Sequence, residues 1–183
     1  SYIDAGADII TVNSYATTRH ALNNGGMQEN FTSWNKLAVQ LAKETLDASE
    51  PDRKILIAGS VSNFGHFDDR YTDEQLAPNF RDQAEILIEN GVDFIILESL
   101  GAKTSTIVTA LNAIAAFDVP IWVAVSCAED HESGQLFLGI EESRIHSHRP
   151  LAHQSLGDAI KTIMNTAGSA LLAMHSTVAT TLP

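Results

Sequence analysis

Cysteine is almost missing from this chain: Cys127 stands alone among 183 residues. No internal disulfide is therefore available, and the chain reads as cytoplasmic, where thiols stay reduced. Long apolar runs are missing too. None reaches the roughly 18 residues that a membrane-crossing helix needs. Basic residues are scarce, with 11 Lys and Arg against 23 Asp and Glu, a formal net charge of −12. Such a surface repels nucleic acid and anionic membranes and suits small-molecule partners. No glycine-rich phosphate-binding turn follows any predicted strand, which weakens a dinucleotide-binding reading. No predicted strand ends in lysine, which argues against a Schiff-base lyase or aldolase.

What is present is a phrase that repeats. Ala5-Gly-Ala-Asp-Ile-Ile-Thr-Val-Asn-Ser-Tyr15 reads as a helix end, a short buried strand and a polar turn. Gly6 suits the left-handed residue that closes a helix. Asp8 to Val12 is short and β-branched, as expected of a strand covered on both faces. The phrase returns as Asn90-Gly-Val-Asp-Phe-Ile-Ile-Leu-Glu98, and more weakly as Ala167-Gly-Ser-Ala-Leu-Leu-Ala-Met-His175. Each copy is a glycine stop, a strand and a polar residue where the strand ends.

Between these copies the spacing predicts further strands at Ile55 to Ala58 and Ile121 to Val125. Thr17 to Met27 reads as a polar loop, with Asn23-Asn24-Gly25-Gly26 at its heart. A helix is expected from about Asn30 to Ala48, with Phe31, Trp34, Leu37, Ala38, Leu41 and Thr45 on its inner face. Thr72 and Gln75 have the spacing of a capping box. They open a helix to Asn90 that turns Phe80, Ala84, Leu87 and Ile88 inward, with Pro78 in or near its first turns. Another helix, Lys103 to Phe117, presents Ile107, Val108, Leu111, Ile114 and Ala115. Ala128 to Gln154 is polar, carries His131, His146, His148 and His153, and reads as a rim loop with a short element around Gln135 to Ile140. Ser155 and Asp158 announce a last helix to about Asn165, before a strand at Ala170 to Met174.

Strands alternating with helices demand a parallel sheet. A doubly wound sheet and a (β/α)8 barrel share that grammar. The polar residues at every strand end favour the barrel, whose chemistry sits at the carboxyl rim. The expected fold is α/β, a partial (β/α)8 barrel covering about strands two to six. Ser1 and Pro183 fall inside the repeating pattern, so the chain reads as a fragment of a single domain, incomplete at both ends.

The phrases also resemble a known family. Ala5 to Tyr15, the Ala58-Gly59-Ser60 turn, Asn90 to Glu98, and Pro120-Ile-Trp-Val-Ala-Val-Ser-Cys127 are similar, in order and spacing, to stretches of the homocysteine S-methyltransferases. The resemblance implies a barrel that transfers a methyl group to the thiol of homocysteine, giving methionine. It implies homocysteine and a methyl donor as partners, a zinc ion that holds the thiol as thiolate, and leaves room for a homo-oligomer. Glu98 matches the glutamate that holds the substrate's ammonium group, and Asn13 a polar residue near the substrate. Ser60 and Ser126, at neighbouring strand ends, complete the expected substrate-binding set. Cys127 matches a family cysteine that does not bind metal.

One position departs from the pattern. Ser176 stands where the family carries its first zinc-ligand cysteine, and the resemblance places the other two ligands beyond Pro183. A serine hydroxyl is a poor zinc ligand beside a thiolate, so no metal ligand is assigned in this chain and weak zinc binding is expected. The alternative function is a zinc-less family member that binds an amino acid or catalyses different small-molecule chemistry. Plainer readings hold elsewhere: His146 and His148 as solvated loop, Cys127 as an apolar filler, Trp34 and Trp122 as core.

Overall fold

The computed structural model describes residues 2–49, 51–64, 70–100, 103–130, 133–138, 154–168 and 170–176. Strands β1 (Ile9–Thr11), β2 (Leu56–Ser62), β3 (Phe94–Glu98), β4 (Ile121–Val125) and β7 (Ala170–Ala173) form one sheet. Its order is β1-β2-β3-β4-β7 and every pairing is parallel. Strand order follows chain order, which excludes the doubly wound alternative and leaves an arc of a barrel.

Helices α2 (Phe31–Ser49), α3 (Asp73–Glu89), α4 (Thr104–Ile114) and α5 (Leu156–Met164) supply the crossovers. Alternation along each strand sorts its side chains between two faces. Ile57, Val61, Ile95, Leu97, Ile121, Val123 and Val125 form the dry core together with Leu76, Phe80, Ala84 and Leu87 of α3 and Ile107, Leu111 and Ile114 of α4. The other face carries Ala58, Ser60, Ser62, Phe94, Ile96, Glu98, Trp122 and Ala124, as the register Ser60↔Ile96, Ser62↔Glu98 and Glu98↔Ala124 requires. Phe94 and Trp122 pack there, ring centroids 4.5 Å apart. Trp122 is half-buried rather than full core.

The repeated phrase has a physical basis. Gly6 and Gly91 adopt φ of 96° and 100°, a left-handed turn that side chains resist. Each turn swings the chain from helix into strand. The aspartate that follows then serves a neighbour: the Asp93 carboxylate accepts the Ile57 N–H at 2.7 Å, and Asp8 lies 3.4 Å from the Arg53 guanidinium. Gly168, in the weaker third copy, is not left-handed.

Four expectations need correction. Trp34, Leu37 and Leu41 are exposed, as is Thr45; of the expected face Phe31 is buried and Ala38 half-buried against the core, and α2 buries Asn35 and Val39 beside them. The true inner stripe runs i, i+4, i+8 through Asn35, and a search for apolar residues slid to the adjacent face. Ala115 is exposed, because α4 ends at Ile114 and Ala115 only caps it. The Thr17 to Met27 loop contains a short helix, α1 (Arg19–Asn24), started by the Thr18 hydroxyl, which accepts the Ala21 N–H. Gly59 and Ser60 do not end their strand, because β2 continues to Ser62.

The capping box at Thr72 and Gln75 is present, and Pro78 lies inside α3. Beyond β4, a two-stranded antiparallel hairpin, β5 (Cys127–Glu129) and β6 (Leu136–Leu138), includes the short element expected near Gln135. It ties to α5 where the Leu138 N–H reaches Gln154 O at 3.1 Å. His131, His146, His148 and His153 lie outside the described residues. Among the described residues no helix is long and apolar enough to cross a membrane.

Candidate functional site

The site is built where the strands end on the face away from the helices. Glu98 closes β3, half-buried, and the backbone then turns sharply: Ser99 has φ of 52°, a left-handed conformation that a residue with a side chain adopts only when its surroundings enforce it. Ser60, two residues short of the end of β2, is 1% exposed and donates its hydroxyl to Glu98 Oε1. A parallel register that pairs Ser62 with Glu98 sets Ser60 diagonally beside the carboxylate.

Behind this pair lies a knot of buried polar groups. The Ser14 hydroxyl donates to Ser60 O at 2.6 Å. Gln83 Nε2 donates to Ser14 O at 2.9 Å and to Asn35 Oδ1 at 3.1 Å. Thr17 Oγ1 donates to Asn35 Oδ1 at 2.9 Å, and Asn35 Nδ2 returns a bond to Thr17 O at 2.9 Å. Neighbouring rim loops are stitched in the same way. The Ser62 hydroxyl donates to Tyr15 O at 2.7 Å, and Asn63 Nδ2 to Leu100 O at 3.2 Å.

The sites expected from sequence divide accordingly. Ser60 and Glu98 are in contact. Asn13 follows β1 and is exposed, and the register Thr11↔Ala58 sets it on the face that carries Ser60. Ser126 follows β4 and is half-buried. Ser176 lies past β7 and turns toward Cys127. Its hydroxyl accepts the Cys127 N–H at 2.9 Å, meets Cys127 Sγ at 3.4 Å and donates to Met174 O at 2.8 Å. His175, with φ of 48°, makes that turn.

Sequence reading missed Ser14, Ser62, Asn35 and Gln83. The signal for the last two was a polar residue set into an apolar stripe, Phe31-Asn35-Val39 and Phe80-Gln83-Leu87. For Ser62 it was the continued alternation Ala58-Ser60-Ser62. An open cleft of about 560 Å³ elsewhere is lined by Lys103, Thr104, Ser105, Val108, Gln154 and Thr162, none of them in the rim set.

A sequential parallel sheet, helices against one face and a carboxylate gathered with hydroxyls at the carboxyl rim of the other define a partial (β/α)8 barrel protein. Residues 1–160 match the family model for homocysteine S-methyltransferase, and the chain belongs to that family. Crystal structures of the homocysteine methyltransferase MmuM from Escherichia coli share the fold. The metallated form superposes with a TM-score of 0.71 at 21% identity over 94% of this chain and 59% of that one. The oxidized form gives 0.69 at 21% identity over 94% and 58%, and the apo form 0.64 at 20% identity over 94% and 57%. This chain thus spans less than two thirds of the length of those relatives.

The metal that the family implies finds no fit at Ser176. A hydroxyl has one proton to give and two lone pairs. Ser176 gives its proton to Met174 O, and both lone pairs face Cys127, one toward the N–H and one toward the thiol. No group of three His, Cys, Asp or Glu among the described residues is placed to hold a metal ion.

Proposed function

We propose that the protein containing this chain is homocysteine S-methyltransferase-like, transferring a methyl group to the thiol of homocysteine to give methionine. The observation that carries the reading is the Glu98 carboxylate, held at a strand end within the family-matched region by the Ser60 hydroxyl. A half-buried carboxylate makes a short, charge-assisted bond to a substrate ammonium group and fixes the amino acid by one end. Asn13 and Ser126 flank it on the rim as further polar contacts, and Ser60 braces it. The substrate thiol gives up its proton to water and the resulting thiolate attacks the donor's methyl carbon; a sulfur–carbon bond forms as the donor–carbon bond breaks, and its electron pair leaves with the donor. The rim's contribution is to hold the reactants in line, the entropic part of catalysis.

Calorimetry with L-homocysteine tests the binding step, and methionine formation from homocysteine and a set of methyl donors tests the transfer. Binding that Glu98→Gln weakens about a hundredfold, together with methionine formation, is expected.

The saturated Ser176 hydroxyl favours a second reading, a family member that binds the amino acid without passing on a methyl group. Homocysteine binding with no methionine formed, for any donor, would select it. Cytoplasmic location, which rests on the single cysteine, and homo-oligomer formation, which rests on the family resemblance, belong to the same proposal.

A further inference from the structure

We propose that Gln83, on the outer helix α3, is a positioning residue for Glu98 and acts through Ser14 and Ser60. This rests on the reading of Glu98 as the ammonium-binding group. The connection is unbroken: Gln83 Nε2 to Ser14 O at 2.9 Å, the Ser14 hydroxyl to Ser60 O at 2.6 Å, and the Ser60 hydroxyl to Glu98. Ser14 is 0% exposed, and Ser60 and Gln83 are each 1% exposed, so water does not compete for these bonds.

The orientation of the Gln83 amide follows from its neighbours. Both atoms facing Nε2 are acceptors. Ser14 O is a carbonyl, and Asn35 Oδ1 is fixed as oxygen because Asn35 Nδ2 donates to Thr17 O and Phe31 O. A flipped Gln83 would set oxygen against oxygen twice. The orientation has a cost: Gln83 Oε1 is buried with no hydrogen-bond partner among the described residues. An unmade buried bond is unfavourable, and an apolar side chain in this stripe would avoid it. Packing alone therefore does not account for a glutamine here. What glutamine adds is a donor to Ser14 O, which holds the Asn13–Tyr15 turn against β2 and the Ser60 hydroxyl in line with Glu98.

The test uses the full-length protein, with homocysteine as probe and the Glu98 carboxyl carbon followed by NMR. Ser60→Ala should raise KM for homocysteine about tenfold and leave kcat nearly unchanged, the mark of lost uniform binding. Gln83→Met should do the same more weakly, about threefold. Both variants should move the Glu98 carboxyl resonance in one direction, and Ser60→Thr should restore resonance and KM. A folded Ser60→Ala or Gln83→Met variant whose Glu98 resonance stays at the wild-type position overturns the proposal. If either variant fails to fold, Ser60→Cys keeps the volume with a weaker donor, and an unmoved resonance there overturns it equally. The resonance needs no substrate, so wild-type protein that binds no homocysteine counts against the functional reading, while the NMR arm still decides the positioning role.

Discussion

The carboxyl rim has two halves that use hydroxyl groups in opposite ways. Around β1 to β3, the hydroxyls of Ser14, Ser60 and Ser62 reach across strands and loops, and one of them ends on the Glu98 carboxylate. Around β4 and β7, Ser176 closes on Cys127 and Met174, so its bonding capacity is used up between the turn after β7 and the start of the hairpin. The first half holds an ionisable group, the carboxylate proposed to anchor the substrate's ammonium group. The second fastens the turn after β7 to the start of the hairpin. Similar residue types at the same level of the barrel thus support a carboxylate on one side and close a turn onto the hairpin on the other.

The comparison breaks first at Glu98. Glu98→Gln keeps the shape, removes the charge and should weaken homocysteine binding about a hundredfold, roughly 2.7 kcal/mol. Unchanged affinity by calorimetry would erase the functional difference between the halves. Next comes the support of the first half. Asn35→Leu leaves Thr17 O and Gln83 Nε2 each short of a partner and should cost roughly 2 kcal/mol of stability in urea unfolding. A loss under about 0.5 kcal/mol would mean that the knot is slack.

The second half should respond less. Ser176→Ala removes the bonds that tie the turn after β7 to Cys127 and should cost about 1 kcal/mol, with homocysteine affinity unaltered. Ser176→Cys puts a thiolate-forming side chain at the position where the sequence resemblance places a zinc ligand, and metal analysis of the full-length protein should then show more zinc retained than in wild type. Wild-type protein holding one zinc tightly would contradict the picture of a saturated hydroxyl.

The smallest effect is set by pH and lies away from the rim. Thr72 lowers the pKa of Glu74, and Ser155, followed by Lys161, lowers that of Asp158. A carboxyl lowered on folding adds stability above its unfolded pKa and loses it as pH falls through the lower folded value. The first turns of α3 and α5 should therefore loosen only in acid. Both groups are fully exposed, so the effect is slight. Far-UV circular dichroism should show a slightly earlier acid transition for Ser155→Ala than for wild type.

Much of the sheet could be read from residues alone because its signal is local. A glycine, an aspartate two residues on and a short run of apolar residues define a buried strand without knowledge of its partners, and β1 and β3 fall where that pattern sets them. Glu98 was legible for the same reason, as a charge ending such a run. Asn35 and Gln83 were not, because their meaning depends on each other and on Ser14, 48 and 69 residues from Gln83 in the chain. The exposure of Trp34, Leu37 and Leu41 escaped for a related reason. Two faces of α2 carry apolar residues, and only the position of α3 decides which one is covered.

The sequential strand order has a consequence for how the chain is made. Each of β2 to β4 finds a sheet neighbour in the βα unit synthesised just before it, so the arc can grow by accretion as the polypeptide emerges from the ribosome. The last addition differs. Trp122 must wait for Ala170 across the hairpin as well as α5, 48 residues on, a closure as wide as the 47 residues from Ile9 to Leu56 and wider than those that add β3 and β4. Until β7 arrives, β4 is a bare edge in a nascent chain, the interval in which a chaperone would have most to protect.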